Sequence, residues 1–176
     1  MSKMEYVVLV DELDNELGLM EKIEAHEKGV LHRAFSVFTF NSKGELLLQR
    51  RALSKYHSAG LWTNTCCSHP RESEPTIDAA HRRLQEEMGF DCALTKAFDF
   101  IYKKKMDKGL IEHELDHVFI GRFDGQPNIN RDEVDDYKNM PIDKLVKDIE
   151  EFPNKYTEWF KICLEETLRH QKSVGL

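Results

Sequence analysis

The run Trp62-Thr-Asn-Thr-Cys-Cys-Ser-His-Pro70 places a thiol and an imidazole two positions apart. In an extended segment alternate side chains leave from one face, so Cys67 and His69 are expected to share a space while Cys66 and Ser68 point away. Further on comes a second dense group, Arg82-Arg83-Leu84-Gln85-Glu86-Glu87-Met88-Gly89. Together they suggest a reactive thiol beside a metal and a phosphate grip. Three histidines, His26, His32 and His69, each lie beside a predicted strand, and Glu112 and Glu114 alternate along another, which puts both carboxylates on one face. Three imidazoles and two carboxylates make a mixed nitrogen and oxygen set that suits a six-coordinate divalent ion such as Mn²⁺ or Mg²⁺, with Zn²⁺ also compatible.

Plainer readings compete with each of these. His57, His81, His113, His117 and His170 read as structural or solvated. A free cysteine is more often a buried apolar residue than a catalyst, and Trp62, Tyr102 and Trp159 are core residues by default. The neighbours of Glu112 and Glu114 are apolar, however (Leu110, Ile111, Leu115, Val118, Phe119), so these carboxylates are drawn toward the interior and need partners there.

The elements that must position these groups follow from hydrophobic period. Residues 6–10 are short, apolar and β-branched, and the polar 11–18 stretch turns the chain. Residues 31–40 and 45–51 flank Asn41-Ser-Lys-Gly44 and read as a β-hairpin. Ala59-Gly60 suggests a loop or broken strand that delivers the Cys67 run to the sheet. Ile77, Ala80, Leu84 and Met88 repeat at helical spacing and Gly89 suits a helix end, which predicts a helix over 75–88 with Arg83 and Glu87 one turn apart. Residues 93–102 and 110–123 read as strands around a lysine-rich loop, 124–136 as loop, and 141–149 as a short helix. A last helix starts at Pro153-Asn154 and carries Trp159, Phe160, Cys163, Leu164, Thr167 and Leu168. The expected fold class is α+β or mixed α/β, with residues 1–176 as one domain.

A formal charge of -7 over 176 residues argues against a nucleic-acid partner or an anionic membrane, so an anionic substrate needs local cations. These exist at Arg50-Arg51 with Lys55, and at Arg82-Arg83. The four cysteines form no disulfide framework or zinc spacing, and the N-terminus lacks the pattern of a signal peptide, which suggests a reduced cytoplasm. No apolar run approaches the ~18 residues of a membrane-spanning helix.

Ser68-x5-Glu74-x7-Arg82-Arg83-Leu84-x-Glu86-Glu87-x-Gly89-Phe90 resembles the Nudix box, Gly-x5-Glu-x7-Arg-Glu-U-x-Glu-Glu-x-Gly-U with U apolar. Ser68 replaces its glycine. Arg83 replaces a glutamate that diphosphate hydrolases of this fold use for their metal, which weighs against hydrolysis. Around the box, the chain is similar to type 1 isopentenyl-diphosphate Δ-isomerases. The matching pieces are Ala-His26, Leu-His32, Arg50-Arg-Ala-Leu-Ser-Lys55, Gly60-Leu-Trp-Thr-Asn64, Cys67-x-His-Pro70, Arg82-Arg83, Asp99-Phe-x-Tyr102, Glu112-x-Glu114, Asp132-Glu-Val-x-x-Tyr137 and Trp159. The first 20 residues and those after about Lys161 match weakly.

The resemblance implies a Nudix-like fold and interconversion of isopentenyl and dimethylallyl diphosphate by protonation and deprotonation. By position it implies Cys67 and Glu114 as the acid/base pair, with Tyr102 hydrogen-bonded near the carboxylate and Trp159 facing the cation. It further implies His26, His32, His69, Glu112 and Glu114 as metal ligands, a second ion (Mg²⁺) between Glu87 and the diphosphate, and Lys22, Arg51, Lys55 and Arg83 as the diphosphate grip. The competing readings are a Nudix hydrolase, favoured by Glu86-Glu87 but opposed by Arg83 and Cys67-x-His69, and a non-catalytic domain of this fold. The last leaves Cys67, Glu114, Tyr102 and Trp159 without a purpose.

Overall fold

A computed structural model describes residues 4–175. The chain begins with β1 (Tyr6–Val10), turns at residues 11–15, and returns as β2 (Glu16–Glu21). A short helix α1 (Lys22–Lys28) follows directly, its first turn capped by the Glu21 carboxylate accepting from the Glu24 amide at 2.8 Å. Then come β3 (His32–Phe40), β4 (Leu46–Arg51), β5 (Trp62–Thr63) and β6 (Cys66–Ser68). Helix α2 (Thr76–Met88) leads to the long strands β7 (Leu94–Lys105) and β8 (Ile111–Arg122), and β9 (Val134–Met140), α3 (Ile142–Glu151) and α4 (Glu158–Val174) complete the chain.

The strands join one mixed sheet in which β3 is the hub. It runs parallel to β8 over the whole span from His32 opposite Glu114 to Phe40 opposite Arg122. Its outer side pairs with β6, Ser36 lying opposite Cys67, and touches β1 where Leu9 meets His32. The expected β3–β4 hairpin closes at its tip alone, Phe40 opposite Leu46, after which the two strands splay. β4 then pairs with β9 on one side and β5 on the other.

Because alternate residues of β3 and β8 face opposite ways, the sheet buries two apolar surfaces. On one, Ala79, Ala80, Leu84 and Met88 of α2 pack on Phe35, Val37, Leu47, Cys66 and Phe119. On the other, Trp159, Phe160, Cys163 and Leu164 of α4 pack on Phe38, Phe40, Leu46, Val118 and Ile120. Leu84 is fully buried, so truncating it to alanine is expected to cost about 2–5 kcal/mol.

Several elements differ from the sequence expectation. β2 and α1 occupy a stretch assigned no element, and α1 has seven residues, too few to display a helical period. β9 starts inside the expected 124–136 loop, and its acidic sequence disguises a strand that pairs along β4. The last helix begins at Glu158 rather than at Pro153, which sits in a separate 3-10 turn.

The predicted helix α2 ends where expected. Gly89 has φ 71°, and a Cβ there would sit 2.2 Å from the Asn128 carbonyl oxygen. That close approach lets the amides of Asn128 and Asn130 donate to the carbonyls of Met88 and Glu87 (both 2.9 Å). It also brings the following Glu133 beside Arg83 (3.3 Å).

Candidate active site

Four parts of the chain converge on a histidine and carboxylate cage, its carboxylates Glu112 and Glu114 coming from β8. His26 comes from α1, His32 from the first residue of β3, and His69 from just beyond β6. Ligand atoms of His26, His32, His69 and Glu114 all lie within 4.8 Å of one another, and those of His26, His57 and Glu112 form a second group that shares His26. His26 Nδ1 contacts the Lys22 carbonyl at 2.6 Å and His32 Nδ1 the Val30 carbonyl at 2.8 Å. A carbonyl accepts only, so each neutral ring carries its proton on Nδ1 and turns an unprotonated Nε2 into the cage. His32 Nε2 is buried without a hydrogen-bond partner among the described residues. Orphaned nitrogens beside two buried carboxylates fit a divalent metal centre, since an unpaired buried polar atom is otherwise costly.

Charge in the cage is arranged to match. Burial alone would raise the carboxyl of Glu112, but contacts from His26 and His57 outweigh it and hold the group well below the usual range. Glu114 is also lowered, burial and the Glu112 charge being offset by His32 and His69. Burial pushes His69 down to about 4, which keeps that ring neutral and available as a ligand.

Beside the cage is a narrow cavity of about 40 Å³, lined among others by Cys67, Tyr102, Glu114, Arg51 and Trp159. Burial drives the Cys67 thiol up to about 12, partly offset by Arg51, whose guanidinium Nη1 is 4.0 Å from the sulfur. The Tyr102 hydroxyl donates to Glu114 Oε2 at 2.7 Å. The indole Nε1 of Trp159 donates to Asn64 Oδ1 (3.3 Å), and the Arg51 guanidinium lies over its ring at 5.2 Å. Strand alternation separates the two adjacent cysteines. Cys66 is fully buried under α2, whereas Cys67 packs toward α4 and the cavity. Ser68, expected to turn away with Cys66, nonetheless edges the cavity.

Outside it lies a field of paired charges. Lys55 is bonded to Glu133, and Arg83 to Glu87, to Glu86 (3.0 Å) and to Glu133 (3.3 Å). Lys22 pairs with Glu5, whose carboxyl also feels Arg83 and Glu133. Glu87 is 3% exposed and accepts from Gln49 Nε2 at 2.9 Å.

The NUDIX domain family matches residues 30–160. A Photorhabdus laumondii protein named isopentenyl-diphosphate Delta-isomerase 2 is 59% identical over 157 residues, covering 89% of this chain and 89% of that one. A protein of the same name from Aromatoleum aromaticum is 54% identical over 162 residues, covering 92% of this chain and 86% of its own. The chain belongs to the isopentenyl-diphosphate Δ-isomerase family. Solved structures agree on the Nudix fold. A Deinococcus radiodurans crystal structure superposes with a TM-score of 0.70 at 20% identity, covering 84% of this chain and 90% of that one. A MutT NUDIX hydrolase from Burkholderia pseudomallei reaches 0.62 at 20% identity, covering 77% and 97%.

Within this isomerase-family chain, the residues picked out by sequence fall into two groups. Cys67, Tyr102, Glu114 and Trp159 share the cavity and the cage borders it. Lys22, Lys55, Arg83 and Glu87 make up the outer field. Arg51, expected in the diphosphate grip, lies at the cavity, 6% exposed, donating to the His57 carbonyl at 3.2 Å.

Three residues were not anticipated. His57 is 2% exposed and its Nε2 lies 2.5 Å from Glu112 Oε1. It comes from the loop before β5, where no period announces a buried side chain. Glu133 is part of a matched motif but carried no role. Asp116 continues the Glu112, Glu114 alternation, accepts from Ser36 Oγ at 2.8 Å, and is raised by burial and by the Glu114 charge. The same period-two reading that found the two glutamates could have found it.

Proposed function

We propose that the chain interconverts isopentenyl diphosphate and dimethylallyl diphosphate as a single Nudix-like catalytic domain, with Cys67 and Glu114 exchanging protons with the five-carbon unit. Protonating an alkene carbon leaves a tertiary cation, and losing a proton from the neighbouring allylic carbon closes the new double bond. One proton enters and one leaves, so no bond to the protein forms. The observation that carries this reading is a thiol and a tyrosine-bound carboxylate lining one narrow cavity whose wall is an indole. A donor, an acceptor and the absence of bulk water are what the cation requires.

Trp159 would stabilise a desolvated cation by about 2 kcal/mol, roughly thirtyfold in rate. Its ring is covered by Arg51. Moving Arg51 would open that face to the five-carbon unit, and a diphosphate at the mouth is the charge that would draw the guanidinium off the indole. Lys22, Lys55 and Arg83 complete the grip, and binding energy there holds the reacting carbons in register. Arg83 stands where a carboxylate would help position a metal for water attack, and instead holds the diphosphate intact.

The cage residues His26, His32, His69, Glu112 and Glu114 would hold Mn²⁺, Mg²⁺ or Zn²⁺, which polarises its ligands and fixes the Glu114 carboxylate. Glu87 would hold Mg²⁺ against the diphosphate. The partner is a small isoprenoid diphosphate rather than nucleic acid or membrane, and the setting is the cytoplasm. Among the described residues no helix is long and apolar enough to cross a membrane.

The test is to incubate the protein with isopentenyl diphosphate, Mg²⁺ and Mn²⁺ and follow the allylic product by proton NMR together with released phosphate. Allylic product without phosphate is expected. No allylic product in any metal condition would sink the proposal, and phosphate release would point to a hydrolase.

A further inference from the structure

His57 belongs to neither motif of the sequence, yet it is one of two imidazoles in the cage region whose Nε2 is buried without a hydrogen-bond partner among the described residues. The other, His32, is accounted for as a ligand. The Nδ1 of His57 lies 3.2 Å from Ser58 Oγ, so that side of the ring is satisfied locally and Nε2 is the nitrogen left over. That nitrogen lies 2.5 Å from Glu112 Oε1, but the contact lacks hydrogen-bond geometry. Two buried polar atoms that converge without bonding one another are arranged as ligands aimed at a third atom.

The cage geometry points the same way. Glu112 stands outside the group formed by His26, His32, His69 and Glu114, and its metal-binding partners within 4.8 Å are His26 and His57. An ion held by Glu112 would therefore have His57 Nε2 beside it.

We propose that His57 is a further ligand of the metal centre, binding the same ion as Glu112 and His26. The centre then presents four imidazoles, His26, His32, His57 and His69, with two carboxylates. A fourth imidazole moves its preference away from Mg²⁺ and toward borderline metals such as Co²⁺ and Zn²⁺. It would also tie the loop before β5, and through the His57 carbonyl the guanidinium of Arg51, to the presence of the ion.

This inference rests on the cage being a metal site, and the experiment separates the two. The intact protein and its His57→Gln and His32→Gln variants are loaded with Mn²⁺, their dissociation constants measured by equilibrium dialysis, and the coordinated imidazole nitrogens counted by pulsed electron paramagnetic resonance. Glutamine at 57 retains a donor for Glu112 but removes the imidazole. The expected result is four coupled imidazoles in the intact protein, three in His57→Gln, and a dissociation constant raised about 10–100-fold. Three coupled imidazoles in both the intact protein and His57→Gln, whatever the change in affinity, would overturn the proposal and leave His57 as a residue that orients Glu112. Retention of stoichiometric, tightly bound Mn²⁺ in His32→Gln would overturn the cage itself. The count on the unsubstituted protein needs no variant to fold.

Discussion

The cage and cavity on one side, and the outer charge field on the other, are built by opposite means. The first is anchored on the sheet, with His26, His57 and His69 brought in from a helix and loops: His32 lies opposite Glu114 in the β3–β8 ladder, Tyr102 opposite Glu114 in the β7–β8 ladder, and Cys67 opposite Ser36. His32 and Glu114 sit on strands paired on both sides, and Tyr102 and Cys67 on strands paired on one. The second is assembled from helix α2, the start of α1 and loops, and every cation in it already has a carboxylate: Lys22 with Glu5, Lys55 with Glu133, Arg83 with Glu86, Glu87 and Glu133. Proton transfer needs fixed distances, whereas capturing a diphosphate needs cations that can trade one anion for another.

If that division is right, substitutions in the two regions should differ in kind. The largest effect is expected from Cys67→Ala, which should lower turnover of isopentenyl diphosphate by about 10³-fold or more while Cys66→Ala changes it by a few-fold at most. Comparable losses in the two variants would erase the distinction drawn from strand alternation. Trp159→Leu should then cost about thirtyfold in kcat with little change in KM. A change in KM alone would move the indole from the chemistry to the binding side. Arg83→Gln should do the reverse, raising KM by about 10-fold or more through loss of a charge-assisted contact, with kcat nearly retained.

A smaller and opposite effect is expected from Glu133→Gln. It frees Lys55 and part of Arg83 from an internal competitor, so KM should fall by about threefold. A rise in KM would mean that Glu133 holds the cations in position rather than competing for them.

The smallest effect concerns a purely structural pair at the other end of α2. Glu74 accepts from Arg82 Nε and Nη2 at 2.7 and 2.8 Å, and this pairing holds its carboxyl below the usual value, burial opposing. Because the folded pKa is depressed, the stabilisation is present above the ordinary carboxylate range and disappears as pH falls through the lowered value. Glu74→Gln should therefore cost about 1 kcal/mol at pH 7 by denaturant unfolding, with unchanged KM, and the difference from the parent should shrink and vanish as pH falls through the lowered carboxyl pKa. A gap that persists at low pH would show that packing, not charge, is at stake.

The same contrast explains what the sequence disclosed. Helix α2 was readable because one face is buried against the sheet, and β3, β4 and β8 because long apolar runs have no other place in a folded chain. The cage ligands on those elements were readable with them. Residues held by loops were harder: His57 is buried by tertiary contacts that no local period records, and β9 is recruited by β4 despite its acidic composition. Arg51 was assigned by its charge, but its place over Trp159 depends on where β4 meets the last helix, 108 positions later in sequence.

The parallel β3–β8 ladder also has a consequence for folding. His32 and Glu114 face one another across it, yet the chain between them must form β4, β5, β6, α2 and β7. Such a ladder cannot nucleate locally and closes late, after much conformational entropy has been lost. An ion bound by both residues would act as a clasp on that late step, so the group that serves catalysis would also decide whether two distant stretches of chain stay together.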